Sequence, residues 1–174
     1  MTNSVEKKCR EVYVLIGPSG SGKTTWTKSF KQKFGDSFVI GDCSADRYFV
    51  DQSGSYKFDG RKLGAAHKAC IADFQQMLAN DYDIVIVDNT NLRSSDRQIY
   101  ISTAEQFGYT IIFVKFFSRY ENIHGVPKEK VDEMIQRFNS SECDLPVSQE
   151  GFVYTTIDVK QNFDWLNFVP PVVQ

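Results

Sequence analysis

Apolar residues along this chain fall in short unbroken blocks, and between the blocks they recur at helical spacing. Val12-Tyr13-Val14-Leu15-Ile16 predicts a strand from Glu11 to Gly17, and a helical run follows from Lys23 towards Phe34 with Trp26 and Phe30 on one side. Phe38-Val39-Ile40 predicts a short second strand ending near Gly41-Asp42. After a polar loop containing Gly54, a long helix is expected from Arg61 to Asn80, where Leu63, Ala66, Cys70, Phe74 and Met77 share one buried face. The block within Asp83 to Asp88 is short and apolar throughout, as suits a central parallel strand covered on both faces. Arg93 to Phe107 predicts a helix stopped by Gly108, and Tyr109 to Phe117 predicts a strand in which Phe116 and Phe117 are core. Pro127 opens a helix to Phe138, since proline is tolerated at a helix N-terminus. Phe152 to Val159 alternates like a last strand, and the tail through Phe168-Val169-Pro170-Pro171 is expected to be extended. Strand alternating with helix predicts a three-layer α/β fold, a parallel central sheet flanked by helices. No repeat or low-complexity tract interrupts it, so residues 1–174 are expected to form one domain.

Composition narrows the classes. The chain is 41% hydrophobic and 24% charged, ordinary for a soluble globular protein. No run approaches the roughly 18 apolar residues of a membrane span, and Met1 to Arg10 lacks an apolar leader core, so a cytoplasmic location is expected. Cys9, Cys43, Cys70 and Cys143 are widely spaced with no Cys-x-x-Cys pair, which argues against a zinc site or disulfide framework. A net charge of −2 argues against a broad non-specific nucleic-acid binder, but leaves room for a local groove that grips a few phosphates.

The chemistry is carried first by Gly17-Pro18-Ser19-Gly20-Ser21-Gly22-Lys23-Thr24, a complete Gly-x-x-x-x-Gly-Lys-Thr pattern between a predicted strand and a predicted helix. Such a loop curls its N–H groups around phosphates at a helix N-terminus, with Thr25 the next residue of that first turn. Lys23 is expected to reach the β- and γ-phosphates, and the Thr24 hydroxyl to hold Mg²⁺. Asp88, ending a buried strand, is the second Mg²⁺ candidate, or else a strand-terminating turn residue.

With these residues in view, the chain resembles the 5′-polynucleotide kinases and their P-loop relatives. Asp88-Asn89-Thr90-Asn91 resembles their Asp-(Asn/Thr)-Thr-Asn signature, and Ser44-Ala45-Asp46-Arg47-Tyr48-Phe49 their acidic segment after the second strand. Asn122-Ile123-His124-Gly125-Val126-Pro127 and Pro146 with Glu150-Gly151-Phe152 resemble two further segments. The resemblance implies a P-loop kinase fold with a lid, and an ATP- and Mg²⁺-dependent phosphotransferase acting on a nucleic acid 5′-OH, of DNA or RNA. It implies Asp46 as the general base; the residue types equally suit a helix-capping carboxylate.

Two departures stand out. Arg47 replaces the family's second acidic residue, and is able either to take a substrate phosphate or to pair with Asp46. The lid is short, with Glu121 where an arginine is usual, which leaves Arg119 as the candidate for closing over the transferring group, against an exposed loop arginine. Tyr120 is placed to stack on a base or simply to pack, and His124 to approach the nucleotide or close the loop. Arg97, with Asn89, Asn91 and Arg47, is a substrate-side candidate; its alternative is a solvated arginine on a helix face. Trp165 carries no functional expectation. Rival readings are a kinase for a nucleoside, a hydroxymethylated base in DNA or a small metabolite, and a nucleotide-binding switch of low turnover.

Overall fold

The computed structural model describes residues 8–120, 125–146 and 154–171. Five strands form one sheet: β1 Glu11–Ile16, β2 Ile40–Cys43, β3 Ile84–Val87, β4 Thr110–Phe116 and β5 Thr155–Val159. All pairings are parallel, in the order β2-β3-β1-β4-β5. β1 is central, pairing Val12 with Val85 on one side and with Ile111 on the other. The chain builds outward from β1 first to β3 and β2, then to β4 and β5. This reversal opens a crevice at the carboxyl ends of the strands, where α/β proteins bind ligands.

Four helices cover the sheet: α1 Lys23–Phe34, α2 Leu63–Ala79, α3 Ser94–Gln106 and α4 Lys128–Phe138. Because side chains alternate across a strand, β1 sends Tyr13 and Leu15 to one face and Val12, Val14 and Ile16 to the other. The first face is closed by Trp26 and Phe30 of α1. The second is closed by Phe74 of α2, Tyr100 and Ala104 of α3, and Phe138 of α4. The three layers expected from the strand–helix alternation are thus present. Among the described residues no helix is long and apolar enough to cross a membrane.

Local boundaries differ where the pattern was weakest. β2 starts at Ile40 and runs on to Cys43, because Gly41 and Asp42 pair with Val85 and Ile86 without carrying an apolar signal. The buried face of α2 is Ala66, Cys70, Phe74 and Leu78, while Leu63 lies at the exposed start and Met77 is only partly covered. Phe116 is core but Phe117, one residue past β4, faces outward and meets Phe138 at 5.3 Å between ring centroids. β5 is described from Thr155 onward; the stretch expected to precede it, with Glu150-Gly151-Phe152, lies outside the described residues.

The tail is not a free extension. Phe163, Trp165 and Phe168 fold back on Trp26 of α1 at 6.5, 5.6 and 6.3 Å. Lys33 of α1 donates to the carbonyls of Trp165 and Phe168. Phe30, with no solvent exposure, sits inside this aromatic cluster. Phe30→Ala is expected to lower stability by about 3–5 kcal/mol. Trp165→Ala, at the half-buried margin, should lose about 1–2 kcal/mol. Urea denaturation of the two variants checks the ranking.

Candidate active site

The loop from β1 to α1 is shaped by contacts that leave no room for side chains. A Cβ on Gly17 would fall 2.6 Å from the Ser21 hydroxyl oxygen and 3.0 Å from Phe116 Cβ. Gly22, the residue before α1, has φ 91°, and a Cβ there would lie 3.0 Å from the Tyr120 ring. Only glycine meets both demands without strain. Tyr120 also donates its backbone N–H to the Gly20 carbonyl at 2.7 Å, so the residues after β4 dock on the loop.

Within this curl Lys23 is 9% exposed. Its Nζ donates to the carbonyls of Gly17 and Pro18, both at 2.9 Å, and to Ser21 Oγ at 3.4 Å. Burial lowers its pKa from the ordinary 10.5 to about 8, against the opposing pull of the Asp88 and Asp46 carboxylates. Asp88, also buried, has its carboxyl raised by desolvation, partly offset by Lys23 and by a hydrogen bond with Thr24. The Asp46 and Asp88 carboxylates act electrostatically on each other and on the same ammonium. Thr24 and Thr25 are exposed on the first turn of α1, Ser21 is buried, and Ser19 is half-buried.

Backbone and amide bonds tie the three loops after β1, β2 and β3 together. Gly17 N–H donates to the Thr90 carbonyl at 3.1 Å. Asn91, in the left-handed region at φ 47°, donates from Nδ2 to the Leu15 carbonyl at 2.8 Å. Asn89 accepts the Ala45 N–H at 2.9 Å and donates to Cys70 Sγ and the Tyr100 hydroxyl, each at 3.3 Å. Both asparagine side chains, expected on the substrate side, are therefore engaged with the protein. They hold Asp88 between β1 and the segment that carries Asp46.

Arg97 corrects both readings of the sequence. It has no solvent exposure. Its guanidinium donates to the carbonyls of Asn91 at 2.8 Å, Leu92 at 3.2 Å and Asp144 at 2.7 Å. It neither faces solvent nor is free to grip a phosphate; it fastens the Asp88 loop to the segment after α4. Arg47 pairs with Asp42, not Asp46, and also donates to the Asp42 carbonyl at 2.7 Å. Arg119 donates to the carbonyls of Phe116 and Ser118 at 3.1 and 2.7 Å and lies over the Phe138 ring. Its charge still bears on Lys23. The expected lid segment with Glu121, Asn122, Ile123 and His124 lies outside the described residues.

Two participants carried no signal in the sequence. The Tyr56 hydroxyl donates to Asp46 Oδ1 at 3.3 Å from ten residues away. Asp42 accepts Lys31 at 2.6 Å as well as Arg47, anchoring α1 to the end of β2. Neither belongs to a periodic run or motif, so only the folded chain brings them to the site.

Fold and loop together define a P-loop domain of the kinase type. The chain belongs to the AAA domain family, which it matches over residues 12–125. It is 28% identical over 135 residues to human NEDD4-binding protein 2, a match covering 72% of this chain but 7% of that protein. A chain of the Pnkp1/Rnl/Hen1 RNA repair complex shares the fold with a TM-score of 0.58 at 15% identity, covering 79% of this chain and 47% of that one. A fungal RNA kinase does so with a TM-score of 0.52 at 16% identity, covering 95% and 41%. At such identities the likeness is one of fold.

Two measurements probe the framework. The unfolded chain binds the Lys23 proton up to about pH 10.5 and the folded protein only to about pH 8, so this group's contribution to stability rises with pH across that window. Lys23→Met should remove the rise; a wild-type-minus-variant difference flat from pH 8 to 10 in urea melts would contradict a buried ammonium. Arg97→Met strands three carbonyls and should cost about 3 kcal/mol by the same assay.

Proposed function

We propose that this domain transfers the γ-phosphoryl group of ATP to a hydroxyl of a nucleic acid, most simply the 5′-OH end of a DNA or RNA strand. The observation that carries the reading is the buried Lys23 ammonium bound to the carbonyls of the phosphate loop, within electrostatic reach of the Asp46 and Asp88 carboxylates. A fold shared with a fungal RNA kinase supports it.

The loop amides and Lys23 would cradle the phosphates of the donor. Thr24 and Asp88, hydrogen-bonded to each other, offer the pair of hard oxygen donors that suits Mg²⁺, which takes few protein ligands and shares the rest with phosphates and water. Bound there, the ion would neutralise charge on the phosphates. Among the described residues no group of three His, Cys, Asp or Glu side chains is placed to hold a metal ion.

Asp46 is exposed and so open to an incoming hydroxyl. It would accept the hydroxyl proton as the new O–P bond forms and the bond to the departing diphosphate breaks. Its solvent contact lets the proton pass on to water. Arg119 would add cationic charge beside the transferring group.

Asp46→Asn should lower kcat for a 5′-OH oligonucleotide by about 10²- to 10⁴-fold while nucleotide affinity stays near wild type. The assay follows label from γ-labelled ATP into DNA and RNA oligonucleotides, free nucleosides and small alcohols. Absence of label in every 5′-OH strand would sink the substrate assignment.

A further inference from the structure

All four cysteines are free thiols and all are buried, but two of them meet. Cys43 ends β2 and is fully enclosed, while Cys70 is 2% exposed on α2, which packs over that strand. The Cys43 thiol donates to the Cys70 sulfur. Cys9 belongs to the opposite face of the sheet, and Cys143 is bonded to Arg97, so neither joins the pair.

Cys70 is the more reactive partner. Its sulfur receives the Asn89 amide at 3.3 Å and lies 3.5 Å from the Tyr100 hydroxyl. Donors around a sulfur stabilise negative charge on it, and the thiolate is the form that attacks an oxidant. Asn89 and Tyr100 also line a cavity of about 380 Å³ between α2, α3 and α4, with His67, Ile71 and Met134 among its other walls. An oxidant the size of water thus reaches the two residues that contact the sulfur.

Asn89 joins the pair to the candidate site. The side chain that donates to Cys70 also accepts the Ala45 N–H at 2.9 Å, and Ala45 precedes Asp46. The Cys43 carbonyl accepts the Asp88 N–H at 2.8 Å. A disulfide holds its sulfurs about 2.05 Å apart, well inside hydrogen-bonding distance, so closing one draws the Cys70 sulfur from Asn89.

We infer that Cys43 and Cys70 are a redox pair which a peroxide closes to a disulfide, and that closure loosens Asn89 and the turn that carries Asp46. The Cys70 sulfur attacks one peroxide oxygen; the O–O bond breaks, and the departing hydroxide takes the thiol proton and leaves as water. The Cys43 sulfur then attacks the Cys70 sulfenic acid, the S–O bond breaks, and a second water carries off the Cys43 proton. Two thiols are oxidised and one peroxide is reduced. A dithiol reductant reverses the cross-link by exchange.

The test treats the native full chain with hydrogen peroxide, quenches with catalase, and unfolds the protein in the presence of a maleimide. Wild type should lose two of its four reactive thiols, and digestion should yield a linked peptide joining Cys43 to Cys70. Dithiothreitol should restore all four. Cys9→Ser combined with Cys143→Ser should keep the cross-link, whereas Cys43→Ser should add oxygen at Cys70 without one. Hydrogen exchange followed by NMR should find the Ala45 amide exchanging about 2- to 12-fold faster in the oxidised protein, the worth of one hydrogen bond.

Neither readout involves ATP or an acceptor, so both stand apart from the kinase reading, and the wild type alone decides them. Four titratable thiols after peroxide, or linkage through Cys9 or Cys143, would overturn the pair. A disulfide between Cys43 and Cys70 with Ala45 exchange unchanged would overturn its coupling to the Asp46 turn.

Discussion

A buried ammonium is the constraint around which this site is built. Lys23 lies in a curl of backbone where water cannot solvate it, so its charge must be met by the protein. Two loop carbonyls and a hydroxyl take its protons, and two carboxylates supply the opposing field. Those carboxylates belong to loops after two other strands, so the ends of β1, β2 and β3 must meet at one edge. Desolvation nevertheless wins on both sides, lowering the lysine and raising Asp88. A site in that condition favours partners that bring their own charge, as a phosphate and a divalent ion do.

The edge is held by amides and one arginine working as struts. Asn91 fastens the loop after β3 to β1, Asn89 fastens it to the start of the Asp46 segment, and Arg97 fastens it from below to the chain after α4. Each strut satisfies backbone groups that the loops leave unpaired. Arg97 suits this work because a guanidinium offers five donors in a rigid fork. Asp46 itself stays at the surface, on a short 3-10 turn capped by Ser44, where an incoming group can reach it. The buried loop and the exposed carboxylate are thus divided between the sheet edge and the turn after β2.

How far the sequence could be read depended on whether the information was local. The phosphate loop was legible because tight curvature demands glycine at fixed positions, and β1 and β3 because strands buried on both faces must be apolar throughout. β2 was legible only in part, since Gly41 and Asp42 carry no hydrophobic signal although they pair in the sheet. Asp46 and Asp88 could be named through motif order, but nothing local says that Tyr56 meets the first or that Thr24 meets the second. Arg97 was misjudged for the same reason: its position on α3 reads as a helix face, while its partners lie in the loop after β3 and in the chain beyond α4.

By itself, then, the order of residues determined the alternation of strands and helices, the three layers, and the anion-binding curl, because these follow from periodicity and from backbone geometry within a few residues. Only the tertiary structure decided which polar side chains serve the site and which serve the scaffold. Asn89, Asn91, Arg97 and Arg47 are the residue types of a phosphate-binding surface, yet each donates to the protein's own oxygens or sulfur. A donor's partner is set by which distant segments pack beside it, and no pattern along the chain encodes that.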